Sequence, residues 1–181
     1  MKNEMEFDWT SQLPKKLPGI DLLNNEIKII KSVPIKCYCE SLDLQLTKAS
    51  TGSVGWDLRA KENYTIHVGE TTYVGTGIFL EIPEGFVGKI FSRSGLSTKF
   101  GVTLVNSVGV VDADYRGEIK VALTLLHGYQ LRPPTYEIKK YDRVAQILFE
   151  KAENTNIEFV ETYDELCKTE RGIKGFGSSG K

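Results

Sequence analysis

Between residues 119 and 125 the chain alternates, with Ile119, Val121, Leu123 and Leu125 apolar and Lys120, Ala122 and Thr124 between them. A period of two marks a strand with one buried face. Apolar runs over 35–39, 73–82, 86–91 and 144–149 predict further strands. Pro83-Glu84-Gly85 separates two of these runs and predicts a hairpin, while Glu62-Asn63 and Val68-Gly69-Glu70 punctuate others. No long helical period intervenes, so the pattern predicts an all-β fold: a sandwich, jelly roll or barrel.

The two ends read differently. Pro14, Pro18 and Gly19 interrupt the first 33 residues, where a short helix around 22–30 is the one element expected. Residues 172–181 contain four glycines and two serines, a composition that stays flexible unless something binds and orders it. The expected organisation is an arm over 1–33, a β domain over 34–168 and a tail over 169–181.

Composition narrows the function classes. A chain of 181 residues, 40% hydrophobic and 26% charged, suits one globular domain with a sizeable core. A formal net charge of -1 offers no global attraction for nucleic acid or an anionic membrane, so neither partner is expected and any polyanion needs a local site. No apolar stretch approaches the ~18 residues of a membrane span. Residues 1–16 lack the apolar run of a signal peptide. Cys37, Cys39 and Cys167 form neither a disulfide framework nor zinc-site spacing, and a reduced, intracellular (cytoplasmic) setting is expected.

Five segments carry the candidate chemistry: 52–60 (GSVGWDLRA), 88–96 (GKIFSRSGL), 106–117 (NSVGVVDADYRG), 142–146 (DRVAQ) and 171–180 (RGIKGFGSSG). Arg93, Ser94 and Gly95 offer a cation, a hydroxyl and a backbone that a phosphate can approach closely; they equally suit a turn with a surface arginine. Arg171, Ser178 and Ser179 carry the same ambiguity between a phosphate cradle and an unstructured end. Asp112 and Asp114 sit in an expected hairpin turn, where acids are common, yet a carboxylate beside a polyphosphate can activate water. Tyr115 can wall a sugar or base, and Asn106 can donate to and accept from a pyrimidine edge. Chemistry alone supports a nucleotide site and no more.

Together and in order, the five segments resemble the motifs of the trimeric dUTPase family, over roughly residues 35–181. RSG or GFG alone is weak; VDADYRG followed by a terminal RGxxGFGSSG is specific. The resemblance implies a dUTPase-like distorted jelly roll, a homotrimer with sites shared between subunits, and a tail that closes a neighbour's site. It implies hydrolysis of dUTP to dUMP and pyrophosphate. Asp112 matches the carboxylate that activates water, and Gln146 a residue near the phosphates and that water. Asn106 and the backbone at Val111 match the uracil contacts, and Tyr115 matches the ring beneath the deoxyribose. Arg93, Ser94 and Gly95 match phosphate contacts. In the tail, Phe176 and Gly177 match the cover over uracil, and Arg171, Ser178 and Ser179 the grip on the outer phosphates. Asp57 is read as structural support. Mg²⁺ is implied as the cofactor, held by the substrate phosphates and water with no direct protein ligand.

The chain departs from the family pattern at four positions. Ser92 replaces a common proline, which predicts a looser turn; Trp56 replaces a smaller or tyrosyl residue; Tyr141 and Lys174 replace glycines. The related dCTP deaminases share the fold, but their strand glutamate falls at Ala122 here. A regulatory or binding protein on the same fold is the reading from another class, with residues 1–33 as the docking arm.

Overall fold

The alternation of the sequence is realised in a computed structural model that describes residues 32–127 and 134–173, with the backbone at 16–17, 20–21 and 28–29. It divides into two units, Met1–Lys151 and Ala152–Lys181. Near the N-terminus β1 (Lys16–Leu17), β2 (Ile20–Asp21) and β3 (Lys28–Ile29) pair antiparallel. Strand β3 therefore stands where the end of the 22–30 helix was expected; residues 22–27 lie outside the described set.

The remaining strands are β4 (Lys36–Cys39), β5 (Trp56–Arg59), β6 (Tyr64–His67), β7 (Thr72–Glu81) and β8 (Phe86–Ser92), then helix α1 (Ser94–Phe100). They continue as β9 (Val102–Leu104), β10 (Val108–Val111), β11 (Glu118–Leu125), β12 (Thr135–Ile138) and β13 (Arg143–Lys151). Two four-stranded antiparallel sheets, β10-β8-β13-β5 and β4-β7-β11-β9, share the first unit with the pair β12-β6. In β11 the burial alternates as the sequence does, with Ile119, Val121, Leu123 and Leu125 all buried. They join Val74, Ile78 and Leu80 of β7 and Leu58, Ile90, Val111 and Ile147 of the other sheet in one apolar cluster. Each such Leu, Ile or Val contributes about 1.5–3 kcal/mol when fully buried. The result is the expected all-β, jelly-roll-like architecture.

Two turns do different work from that expected. Residues 83–85 join β7 to β8, and residues 112–117 join β10 to β11, yet the members of each pair belong to opposite sheets. Neither is a hairpin. In a two-layer fold a short turn between consecutive strands can close over the edge of the core instead of pairing them, and periodicity does not distinguish the cases. Helix α1, ended by Gly101 in the left-handed region (φ 71°), was also not expected.

Tyr141 carries a positive φ of 73° in the turn before β13, where Asp142 N–H bonds the Lys139 carbonyl. The third position of such a turn favours glycine, because a Cβ crowds the left-handed backbone. Tyr141→Gly is expected to stabilise the fold by about 1 kcal/mol, as read by urea denaturation.

Candidate active site

The first group of site residues is assembled around the crossing 112–117. Asp112 lies at the end of β10, whose register on β8 (Val111 opposite Gly88) fixes its height. Gly88 suits the close approach there: an added Cβ would lie 3.2 Å from the Val111 Cβ and 3.1 Å from Ile82 Cδ1, so a neighbour would have to give way. The Asp112 carbonyl accepts Tyr115 N–H, and the Tyr115 hydroxyl donates to the Glu118 carbonyl at 3.0 Å. Arg116 donates to the Ala113 and Tyr115 carbonyls, closing the loop on itself. Asn106 precedes Ser107, which has a positive φ of 59°, and Val108 N–H bonds the Asn106 carbonyl in a tight three-residue turn. Asn106, Val111, Asp112 and Tyr115 thus line one cleft of about 420 Å³. Its wall also includes Tyr73, Lys120 and Ala122, which pairing brings together: Ala122 lies opposite Tyr73 and Lys120 opposite Gly75.

The second group gathers at the β5-β13-β8 strand ends, where Gln146 lies opposite Asp57 on one side and Phe91 on the other. The Asp57 carboxylate is 3.2 Å from the Arg143 guanidinium and 3.6 Å from that of Arg93. Arg93 also donates to the Arg143 carbonyl at 2.7 Å. Burial and repulsion from Arg143 lower the Arg93 pKa, opposed by the attraction of Asp57 and reinforced by Arg59. Two arginines share the Asp57 carboxylate and Arg59 lies close enough to Arg93 to repel it, an excess of positive charge suited to an anion. Arg93, Gly95 and Arg143 line a second cleft, about 340 Å³, with Lys99 and Tyr136. The lining residues of the two clefts do not overlap.

Gln146 donates to the Ser92 carbonyl at 3.2 Å. A Cβ on Gly55 would lie 2.6 Å from Gln146 Oε1, so the amide occupies the space that glycine leaves open. Gly55→Ala is expected to push Gln146 aside and to destabilise the fold by about 1–3 kcal/mol, as read by urea denaturation. Ser92 does not loosen its turn: its hydroxyl accepts Leu104 N–H at 2.9 Å and lies 3.0 Å from that of Thr103. A proline there would lack this tie to β9.

Ser94 is exposed at the start of α1. Arg171 is exposed in the second unit, beside Gly172 at φ 55°. Phe176, Gly177, Ser178 and Ser179, with Lys174, lie outside the described residues. Residue-by-residue reading of the sequence passed over Arg143, Tyr73 and Lys120. Arg143 sat inside a quoted segment, but Tyr73 enters only through the β7–β11 register, for which the sequence carries no local signal.

Among the described residues no cluster of three or more His, Cys, Asp or Glu side chains is placed to hold a metal ion. No helix there is long and apolar enough to cross a membrane.

The class defined by these features is an antiparallel, jelly-roll-like β protein that carries a walled cleft and, separately, an arginine cluster. The dUTPase family model matches residues 44–180, and the chain belongs to that family. A deoxyuridine 5'-triphosphate nucleotidohydrolase of Corynebacterium diphtheriae is 45% identical over 130 residues, 71% of this chain and 80% of that protein. That of Fusobacterium nucleatum is 42% identical over 155 residues, 84% of this chain and all of its own. Among solved structures, a mutant dUTPase of Staphylococcus bacteriophage 80alpha with dUpNHpp shares the fold at a TM-score of 0.72 and 24% identity, covering 83% of this chain and 100% of that one. A mutant dUTPase of phage phi11 of S. aureus, described as coordinating a structural Mg(II) ion, gives 0.64 and 20%, covering 73% and 99%.

Proposed function

We propose that the protein hydrolyses dUTP to dUMP and pyrophosphate, which keeps uracil out of DNA and supplies dUMP for dTMP synthesis. The observation that carries this reading is the single cleft that joins Asn106, Val111, Asp112 and Tyr115. In it Asn106 and the backbone at Val111 read the uracil edge. A close pocket rejects the methyl of thymine and the reversed donor pattern of cytosine. Tyr115 lies against the deoxyribose. Asp112 takes a proton from water as it attacks the α-phosphorus in line, and the bond to the bridging oxygen breaks to release pyrophosphate. Gln146 orients that water, while Arg93, Ser94 and Gly95 hold phosphate.

The reading takes Mg²⁺ as the cofactor, carried by the substrate phosphates and water; bound there, it would neutralise phosphate charge. The reading further includes a homotrimer. The walls for the base and the arginines for the phosphates fall in separate clefts of one copy, which suits a site completed by a neighbour. In the second unit Phe159 and Ile173 are each 90% exposed and Ile157 is 74% exposed, apolar surface that a second copy would cover. Arg171, Phe176, Gly177, Ser178 and Ser179 then close a neighbour's site as an ordering lid. The setting proposed is the cell interior, where the nucleotide is made.

A dCTP deaminase finds no support in the same cleft. Ala122 stands at the deaminase glutamate position, and the Glu118 carboxylate is engaged by Gly77 N–H and Lys61. The test is pyrophosphate release with Mg²⁺ from dUTP beside dCTP, dTTP and UTP. Release from dUTP alone is expected. An intact dUTP in the presence of folded protein sinks the reading, and ammonia released from dCTP replaces it.

A further inference from the structure

Glu118, the first residue of β11, makes contacts in two directions. Its backbone carbonyl accepts the Tyr115 hydroxyl at 3.0 Å. Its carboxylate, on a side chain only 12% exposed, accepts Gly77 N–H at 2.9 Å and meets Lys61 Nζ at 2.9 Å. Across from it β7 bulges: Glu118 lies opposite Phe79 and Lys120 opposite Gly75, so a two-residue step of β11 spans four residues of β7. The bulged N–H groups lose their ladder partners, and side chains replace them. Tyr64 accepts from Gly75 at 2.9 Å, Thr76 accepts from Ile78 at 3.3 Å, and Glu118 accepts from Gly77. Gly77 has φ 64°, and a Cβ there would lie 2.8 Å from Leu44 Cδ1, so this corner has no slack. Lys61 is fixed in turn by its N–H bond to the Gly75 carbonyl and by Glu40, 3.7 Å from Nζ. Burial raises the Glu118 pKa, but the hydrogen bonds from Lys61 and Gly77 and the Lys61 charge outweigh it and hold the carboxyl below its usual range.

We propose that Glu118 is a positioning residue for sugar selectivity: by anchoring the start of β11 to the β7 bulge through Gly77 and Lys61, it sets the height of the Tyr115 ring in the nucleotide cleft. The inference rests on the uridine-nucleotide reading given above. Tyr115 is 46% exposed; one side of its ring lies against Gly117, and its hydroxyl bond ties the far end of the ring to Glu118. A 2′-hydroxyl differs from a 2′-hydrogen by one atom, and rejecting it requires a wall placed to a fraction of an ångström. Glu118 borders the same cleft, but its carboxylate is taken up by Gly77 N–H and Lys61 and is not offered to a ligand. It acts through Tyr115.

The experiment is calorimetric binding of dUMP and of UMP, with kcat/KM on dUTP and UTP, for the full chain and for Glu118→Ala, Glu118→Gln, Lys61→Met and Tyr115→Phe. Glu118→Ala and Tyr115→Phe are each expected to lower the dUMP-to-UMP affinity ratio about tenfold, the scale of one well-placed contact, and the double substitution to lower it no further. Glu118→Gln keeps an acceptor for Gly77 N–H and retains most of the ratio; Lys61→Met falls between. A merely structural role weakens both nucleotides in proportion. Equal weakening of dUMP and UMP across the series, with wild-type turnover of dUTP intact, overturns the inference and leaves the functional reading standing. If Glu118→Ala fails to fold, an unchanged ratio in both Tyr115→Phe and Lys61→Met overturns it as well. Folded wild-type protein that binds neither nucleotide and leaves dUTP intact overturns both.

Discussion

Asp112→Asn is expected to lower kcat on dUTP by roughly 10²–10⁴-fold, the usual contribution of a general base, while KM and melting temperature stay near wild type. The stability half of this expectation comes from the structure. Asp112 is exposed, and among the described residues its carboxylate has no hydrogen-bond or ion-pair partner. The fold draws on its backbone carbonyl, which Tyr115 N–H bonds, and asparagine keeps that group. Asparagine keeps the size and polarity of the side chain but cannot accept the proton of the attacking water. Paired measurements of pyrophosphate release and thermal unfolding check both halves. Undiminished turnover would remove Asp112 from the role of base and shift attention to Asp114, two residues on in the same crossing.

The second large effect is expected at Asp57. Its carboxylate is 13% exposed and is the anion shared by Arg143 and Arg93, with Arg59 also nearby. Asp57→Asn removes that charge and leaves the three guanidinium groups to repel one another. The Arg143 contact is a charge-assisted hydrogen bond, of a kind that contributes about 1.5–3 kcal/mol, the Arg93 contact is a longer ion pair, and part-exposure brings the expected loss to roughly 1–2 kcal/mol. The kinetic effect is separate. An Arg93 no longer held by Asp57 meets phosphate less well, so KM for dUTP is expected to rise about tenfold, with a smaller change in kcat. Denaturation by urea and steady-state kinetics read the two independently. A variant with wild-type KM would show that Arg93 is placed by its bond to the Arg143 carbonyl alone.

Comparison of sequence and structure shows which information is local. The alternation at 119–125 placed β11 within a residue, because burying one face of a strand is a period-two requirement. The motif order placed Asn106, Val111, Asp112 and Tyr115 together, and the cleft does unite them. What the chain did not disclose depends on which strands pair. The 83–85 and 112–117 turns carry ordinary hairpin residues, yet each crosses between sheets. Glu118 has no local signal in the sequence; its carboxylate finds its partners only in the folded chain, at the β7 bulge and at Lys61. Ser92 illustrates the reverse error. Losing a proline suggests a looser turn, whereas a hydroxyl that satisfies Leu104 N–H restores the restraint by other means.

The crossing at 112–117 has one more consequence. Its two ends leave opposite layers of the sandwich, from Val111 on one side and toward Ile119 on the other, both buried in the common core. The loop is therefore a gauge of layer separation. Ile119→Val, which removes one methylene, is expected to let the layers settle and tilt Asp112 before the fold is in danger, so that turnover fades at temperatures where spectroscopic structure is still complete. Drift in the interior of such a protein is policed first by its chemistry and only afterwards by its stability.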